Sequence, residues 1–412
     1  MTAYGILARN LRSLRYLDTR NSSPNNNSAE LKMRIFVGIL GLLLMFATLW
    51  ETFESIILPR RVTRRFRLTR LFYQVTWAVW SVFNRRLPSK KVRESHLSYY
   101  GPLSLLGLFA TWAFALVVAF AMLHWAAGSS LNVSGGPATF RTDLYLSGTT
   151  FFTLGLGDVT PRTALARVIT VAEGGTGFGY LAIVISYLPT MYGAFSQREL
   201  NISLLDARAG SPPTAGELLR RHSHIQGFNV LRRYLQEWEI WCAQLMESHL
   251  SYPVLCYFRS QHDNQSWLAA FTAVLDACAL IIAYGSGEAQ WQAQLTFAIS
   301  RHAISDLCEV LRVRPLAPIV DRLPPQDLAE VRNLLTECGA GKCTEAGDLK
   351  LRELRSMYEP QLNGLSGRLL MPLPSWGVGA KFVENWKRTA WDRITSKSAG
   401  PRAPDGGESG HF

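Results

Sequence analysis

The stretch LYLSGTTFFTLGLGDVTP, residues 144–161, decides the fold of this chain. It joins a short segment rich in threonine and aromatic residues to the hexapeptide Thr153-Leu154-Gly155-Leu156-Gly157-Asp158 and ends at a proline. Glycine takes positive φ as readily as negative φ, so Gly155 and Gly157 allow the backbone to aim successive carbonyls at one axis. Thr153 adds a hydroxyl oxygen in front of them. The stretch therefore predicts a line of closely spaced oxygen atoms, which suits a cation stripped of water.

This hexapeptide resembles the selectivity filter of potassium channels, whose usual core is Thr-Val-Gly-Tyr-Gly-Asp, and the segment before it resembles their pore helix. The resemblance covers about residues 99–196. It implies that filter oxygens replace the hydration shell of potassium and that the pore helix directs its negative end toward the ion. Thr149 and Thr150 are then expected to support the filter. One filter per chain implies a homotetramer, because the cation must be ringed on all sides.

Leu156 is a departure from the usual filter, because it stands where tyrosine is common and has no hydroxyl to brace the loop. Some two-pore-domain potassium channels resemble this leucine variant. A non-selective cation channel therefore stays open as an alternative to a potassium-selective one. We expect Leu154 and Leu156 to point away from the axis, into packing behind the filter.

Three apolar segments are expected to cross a membrane. Hydrophobic residues make up 48% of the 412, which suits a membrane portion joined to a soluble one. Because a spanning helix needs about 20 apolar residues, the candidates are 35–50, 102–123 with Pro102 in its first turn, and 164–192. Segment 71–83 is too short to span, so we interpret it as an interfacial helix, with a re-entrant segment as the alternative.

The chain is basic beside its apolar segments, with a net charge of +12. No acidic residue occurs from 59 to 93, which places this linker on the cytoplasmic side and predicts attraction to anionic lipid. The predicted membrane-surface basic cluster comprises Arg60, Arg61, Arg64, Arg65, Arg67 and Arg70. No nucleic-acid-binding signature accompanies the charge, so we expect no nucleic acid partner. Counting crossings puts the N-terminus outside, or inside if 71–83 also crosses.

The third apolar segment contains the sequence Glu173-Gly-Gly-Thr-Gly177-Phe-Gly. Gly177 falls where the inner helix of related channels has its hinge glycine, so the resemblance implies a gating hinge; simple close packing is the alternative. Pro189 is expected to bend or end this helix. A carboxylate within a membrane is costly and is a functional candidate by default. Glu173 is therefore expected either to be buried behind the filter, which the neighbouring glycines favour, or to face the cavity.

The remainder of the chain is predicted to be an all-α domain. Thr214-x-x-Glu217 is a capping-box sequence, and helical spacing occurs at 227–246, 266–284, 288–312, 326–338 and 347–370. The run 267–284 is long enough to span, but Asp276 in its middle favours a buried bundle helix. All six cysteines follow the last membrane segment, where a cytosolic location would keep them reduced.

The predicted fold is an all-α membrane protein with a potassium-channel-like pore: two transmembrane helices and a re-entrant loop, preceded by a further transmembrane helix and followed by an all-α cytosolic domain. The predicted parts are a disordered extension 1–32, transmembrane helix and basic linker 33–98, pore domain 99–196, helical domain 212–372 and basic tail 373–412.

The predicted function is passive potassium conduction across the cytoplasmic (inner) membrane by a homotetramer. No constellation of residues predicts an enzyme, a cofactor or a metal other than transported potassium. Besides the non-selective cation channel, a non-conducting membrane-anchored signalling or scaffold protein is an alternative, motivated by the large helical domain.

Overall fold

The structure is a computed structural model that describes residues 24–57, 67–133, 137–223, 227–260, 264–318, 320–339, 341 and 343–377. The helices are α1 Pro24–Thr52, α2 Leu68–Arg85, α3 Lys90–Ala126, α4 Phe140–Phe151, α5 Ala164–Ala209, α6 Ala215–Arg221, α7 Gly227–Ser251, α8 Trp267–Tyr284, α9 Gly287–Leu311, α10 Pro325–Glu337, α11 Glu345–Ser356 and α12 Glu359–Leu369. A π-helical turn, Phe53–Ile57, follows α1, and a 3₁₀ turn, Pro253–Tyr257, follows α7. Strands β1 (Leu131–Val133) and β2 (Val159–Pro161) pair antiparallel. The protein is therefore an all-α membrane protein with one small ribbon among its described residues.

Two compact units divide the chain. The first contains the described residues of Met1–Gln74 and Ser104–Pro189, and the second contains those of Val75–Leu103 and Thr190–Phe412. The boundaries between the two units fall inside α2, α3 and α5. Each of these three helices continues without a break from one unit into the other. Four described helices are long and apolar enough to cross a membrane: Ser28–Ile56, α3, α5 and α8.

In the first unit, α1 runs antiparallel to α3. A Cβ added at Gly38 would lie 3.1 Å from Ala126 Cβ, and one at Gly41 would lie 3.0 Å from the Ala119 carbonyl oxygen. Small residues allow this close approach of two apolar helices. The first half of α1 therefore lies beside the end of α3.

The end of α1 caps the start of α2. Glu51 is 5% exposed and accepts hydrogen bonds from the backbone of Leu68 at 3.0 Å and of Thr69 at 3.2 Å, and from the Thr69 hydroxyl at 2.7 Å. A carboxylate suits the N-terminus of a helix, where N–H groups lack partners and the dipole is positive. These bonds allow the Glu51 carboxylate to be buried.

Several helix ends differ from the sequence predictions. Helix α1 begins at Pro24, so residues 24–32 are helical where a disordered extension was predicted, and residues 1–23 lie outside the described chain. A Glu30–Arg34 ion pair at 2.8 Å, one turn apart, supports this part of the helix.

Pro102 lies inside α3, which starts at Lys90, and α5 passes through Pro189 to Ala209 instead of ending there. Each proline removes one backbone bond, which the long flanking helix tolerates.

Helix α8 forms the centre of the second unit. Every residue of α8 except Ala283 is buried. The Asp276 carboxylate accepts two bonds from Arg322, at 3.0 and 2.9 Å, and one from the Tyr358 hydroxyl at 2.6 Å. A buried charge is tolerated when it is paired and hydrogen-bonded. The prediction of a buried bundle helix at 267–284 is therefore confirmed.

Two predicted helix ends in the second unit have different outcomes. The Thr214 hydroxyl accepts a bond from the Glu217 N–H at 3.3 Å, so Thr214 caps α6 as predicted, but the Glu217 carboxylate accepts bonds from Arg220 and Arg221 and does not complete the predicted capping box. The predicted helix 347–370 is wrong, because α11 ends at Ser356 and α12 begins at Glu359. Pro360 stands in the first turn of α12, the position that proline favours and from which it cannot continue a preceding helix.

Candidate functional site

Left-handed backbone alternates along the hexapeptide after α4. Thr153, Gly155 and Gly157 have φ of 58°, 54° and 79°, whereas Leu154 and Leu156 do not have positive φ. Glycine takes this conformation at little cost, but for a β-branched threonine it is a strained exception. Thr153, the first residue of the hexapeptide, therefore has a backbone conformation that threonine rarely adopts.

Backbone hydrogen bonds hold the hexapeptide to the last turn of α4. The Thr149 carbonyl accepts from Leu154 N at 2.8 Å and from Gly155 N at 3.3 Å, and the Thr150 carbonyl accepts from Thr153 N at 3.0 Å. The Thr149 hydroxyl is directed back to its own helix, donating to the Leu146 carbonyl at 2.9 Å. The two threonines therefore contact the loop through their carbonyl groups.

A tyrosine on α4 reaches the outer end of the hexapeptide. The Tyr145 hydroxyl donates to Asp158 Oδ2 at 2.9 Å. This bond braces the loop from α4, although Leu156 within the loop has no hydroxyl. No sequence pattern marks Tyr145, because a residue 13 positions before Asp158 reaches it only when the loop folds back on the helix.

The hexapeptide is exposed in the single chain. Leu154 and Leu156 are each 63% exposed, so the packing that was predicted for them behind the filter is not supplied by their own chain. Nearby apolar side chains are exposed too, including Phe152 at 59%, Val171 at 76% and Phe178 at 66%. An apolar surface of this kind requires lipid or another protein surface to cover it.

Helix α4 starts with a capping box. Helix α4 begins at Phe140 with Thr139 as its N-cap, and the Thr142 hydroxyl accepts a bond from the Thr139 N–H at 3.2 Å. Thr142 thus serves as the reciprocal partner of a capping box and not as the cap itself.

Gly177 marks the closest approach of α5 to the end of α4. A Cβ at this position would lie 2.1 Å from the Phe151 carbonyl oxygen and 2.8 Å from its carbonyl carbon. By contrast, a Cβ at Gly175 or Gly179 would meet nothing within 4 Å. Tyr180, one turn along, donates its hydroxyl to the Phe109 carbonyl at 2.7 Å and fixes α5 to α3. Close packing is therefore a sufficient reason for glycine at 177 in this conformation.

Glu173 is fully buried, in a cluster of polar side chains. His124 Nε2 lies 3.5 Å from Glu173 Oε2, which is longer than a hydrogen bond, and both side chains have no exposed surface. Asp143 and Ser147 of α4 are also fully buried, and Ser129 donates to Asp143 Oδ2 at 2.6 Å. The atoms without a hydrogen-bond partner are Glu173 Oε1 and Oε2, His124 Nδ1 and Nε2, Asp143 Oδ1 and Ser147 Oγ. No sequence pattern predicts that His124 and Asp143 lie near Glu173, because the three residues are far apart along the chain.

The described part of the predicted basic cluster is Arg67 and Arg70. Arg60, Arg61, Arg64 and Arg65 lie outside the described residues. Arg67 donates to the Ser55 hydroxyl at 3.1 Å, beside the start of α2. Arg70 follows in the first turn of α2 and is half-buried.

Arg198 lies in the part of α5 that belongs to the second unit and bonds to other residues of that unit. This buried side chain donates to the carbonyl oxygens of Leu255 at 2.9 Å and Phe258 at 3.0 Å. It also contacts His249 Nε2 at 3.3 Å and pairs with Glu199 at 2.8 Å. Burial, followed by the positive charge of Arg198, holds the pKa of His249 well below its usual range. Nothing in the sequence pattern identified this contact.

Comparisons with known proteins agree with a channel-type membrane protein. Residues 107–193, which include α4, the hexapeptide and most of the apolar part of α5, match a family model described as an ion channel. The chain is 24% identical over 249 residues to the "Uncharacterized membrane protein YdjJ" of Bacillus subtilis (strain 168), covering 59% of this chain and 72% of that protein. No solved structure matches the chain. Residues 107–193 of this membrane protein are therefore similar to an ion channel family.

Proposed function

We propose that the protein conducts potassium passively across the cytoplasmic membrane through a homotetrameric pore, with Thr153, Leu154, Gly155, Leu156, Gly157 and Asp158 as its filter. The observation that carries this proposal is the alternation of left-handed backbone at 153, 155 and 157 inside the region that matches the ion-channel family. In an ordinary strand successive carbonyls point to opposite sides. Alternating backbone handedness instead suits carbonyls that are directed to one side, as ion coordination requires.

The exposed surface around the filter supports assembly of four chains. A filter on one chain offers oxygens from one side, whereas a dehydrated cation must be surrounded. Leu154, Leu156 and Phe152 are apolar and well exposed beside the filter. Neighbouring copies would cover these side chains and would supply the packing behind the filter that the single chain lacks.

Potassium selectivity is proposed although Leu156 replaces the usual tyrosine. The Tyr145–Asp158 bond provides a brace from α4 at the outer end of the loop, two residues after Leu156. Leu156 remains the feature that favours the second candidate, a non-selective cation channel. We further propose that the pore opens by bending near Gly177 and that the helical second unit lies in the cytoplasm and modulates it.

The test is ion flux from the purified full-length chain in liposomes, with potassium and sodium compared at matched gradients. Potassium flux with little sodium flux is the expected result, and Gly155→Ala is expected to abolish it, because alanine disfavours positive φ. Equal fluxes would establish the non-selective alternative. Absence of flux, together with Gly155→Ala behaving like the parent protein, would favour the non-conducting signalling or scaffold role. Native mass spectrometry reports the number of chains independently.

A further inference from the structure

Helix α2 has two faces of different chemistry, and one of them is built into the second unit. Trp77 is 2% exposed, and its ring packs 4.7 Å from Tyr100 and 4.9 Å from Tyr257, between ring centroids. Its indole N–H donates to the Arg368 carbonyl at 2.8 Å. Ser81 and Asn84 on the same side are buried as well. This side of α2 is therefore a part of the core of the second unit.

The opposite side of α2 is apolar and exposed. Leu71, Val75, Val79, Val82 and Phe83, which we call the apolar arc, are 46%, 54%, 69%, 51% and 55% exposed. Residues three or four positions apart lie on one side of a helix, so these five side chains form a continuous stripe. Contiguous apolar surface of this kind marks a site for another protein or for a membrane.

Charge and chain position favour a membrane as the occupant. Exposed basic side chains follow the arc at Arg85, Arg86, Lys90 and Lys91, within a stretch from 59 to 93 that has no acidic residue. A helix with an apolar face and basic residues beside it is typical of segments that lie in the headgroup layer. The helices before and after α2 in the chain, α1 and α3, are both apolar enough to cross a membrane. Along the chain, α2 therefore lies between two candidate membrane-spanning helices.

We propose that the apolar arc of α2 inserts into the headgroup layer of the bilayer and that Arg85, Arg86, Lys90 and Lys91 bind anionic phospholipid there. Because Trp77 ties the other side of the helix into the core, lipid bound on the arc stabilises the folded second unit. A ligand that binds the folded state alone raises its stability by mass action. This inference does not depend on which ion, if any, the pore conducts.

The first experiment measures the surroundings of the arc in the full-length protein. A Val79→Cys variant carries a fluorophore, and a Leu349→Cys variant, at a 60% exposed position on α11, serves as the control. Both are made with Cys343→Ser, because the other five native cysteines are buried. The proteins are placed in nanodiscs of phosphatidylcholine, either alone or mixed with phosphatidylglycerol. Every nanodisc also contains a lipid with a spin label near its headgroup, which quenches a nearby fluorophore.

The proposal predicts quenching of the Val79 fluorophore by labelled lipid, with more quenching as phosphatidylglycerol increases, and little quenching at Leu349. Equal exposure of both fluorophores to water would overturn it. Protection of Val79 from both water and lipid quenchers would also overturn it, because a protein surface would then cover the arc.

A second experiment tests the charges in the same discs. The variant neutralises the four basic residues beside the arc, and a control neutralises four exposed ones elsewhere in the second unit. The two sets are Arg85→Gln, Arg86→Gln, Lys90→Gln and Lys91→Gln, and Arg301→Gln, Arg314→Gln, Lys350→Gln and Arg352→Gln. The phosphatidylglycerol content that gives half-maximal quenching at Val79 should rise about tenfold or more in the first set and stay unchanged in the control. An equal response of both sets would contradict the assignment of the anionic-lipid site.

Discussion

His124 Nε2 lies 3.5 Å from Glu173 Oε2, and neither side chain has any exposed surface. The pair links α3 to α5 beside the buried Asp143 and Ser147 of α4. Because six buried polar atoms of these four residues have no hydrogen-bond partner, ordered water has suitable partners there. The arrangement holds together the three helices that carry the candidate filter.

Removal of either member of this pair should destabilise the protein. We expect His124→Ala and Glu173→Ala each to cost about 1–3 kcal/mol, because each leaves the other buried polar group without its neighbour. The double variant should cost less than the sum of the two. Unfolding of the detergent-solubilised protein measures these effects. Glu30→Ala, which removes a more exposed ion pair, is the control and should cost about 1 kcal/mol or less. Additive losses in the double variant would show that the pair does not interact.

Tyr145→Phe should weaken ion selectivity while leaving the fold intact. The change removes the hydroxyl that donates to Asp158 and keeps the aromatic ring, so the outer end of the filter becomes less restricted. We expect the ratio of potassium to sodium permeability, measured from reversal potentials, to fall severalfold. Tyr99→Phe, at a 58% exposed tyrosine on α3, is the matched control and should leave the ratio unchanged. An unchanged permeability ratio in Tyr145→Phe would show that the Tyr145–Asp158 bond does not contribute to selectivity.

Alanine at Gly177 and alanine at Gly175 should have opposite effects on stability. At 177 the new Cβ would lie 2.1 Å from the Phe151 carbonyl oxygen, which forces α4 and α5 apart, so we expect a loss of about 1–3 kcal/mol. At 175 the Cβ meets nothing within 4 Å, and alanine in a helix is more stable than glycine by about 0.5–1 kcal/mol. Thermal unfolding separates the two. Equal tolerance of both variants would mean that α4 and α5 do not approach as closely as described.

The second unit should lose stability as the pH falls below about 6.5, the ordinary pKa of histidine. His249 donates from Nδ1 to the Leu245 carbonyl, so its Nε2 accepts from Arg198. Burial and the Arg198 charge lower the pKa of His249 in the folded state, so the unfolded state binds a proton first. Stability then falls by up to about 1.4 kcal/mol per pH unit until the folded-state pKa is reached.

Denaturant unfolding followed by tryptophan fluorescence between pH 7.5 and 5 measures this slope. His249→Gln should flatten it, because the titrating group is gone, although the variant is less stable at every pH. His302→Gln, at a histidine whose side chain is 63% exposed, should leave the slope as it is. A slope that persists in His249→Gln would assign the pH dependence to other groups.

Local patterns predicted some of the structure well. The apolar crossings, the cap at Thr214 and the burial of α8 follow from residue spacing and from the cost of an unpaired Asp276, which are properties of short stretches. The ends of α3 and α5 did not follow, because prolines 102 and 189 mark ends in isolation, whereas these long helices continue through them. The contacts of Tyr145, His124 and Arg198 join distant parts of the chain, and periodicity carries no information about them.

The most direct test of the account is the flux of potassium and of sodium from the purified full-length protein in liposomes. We predict rapid potassium flux and at least tenfold slower sodium flux, from a particle of four chains. Gly155→Ala should abolish the flux of both ions. Sodium flux equal to potassium flux would contradict the selective filter. A protein that is monomeric in the bilayer and conducts neither ion would contradict the pore itself.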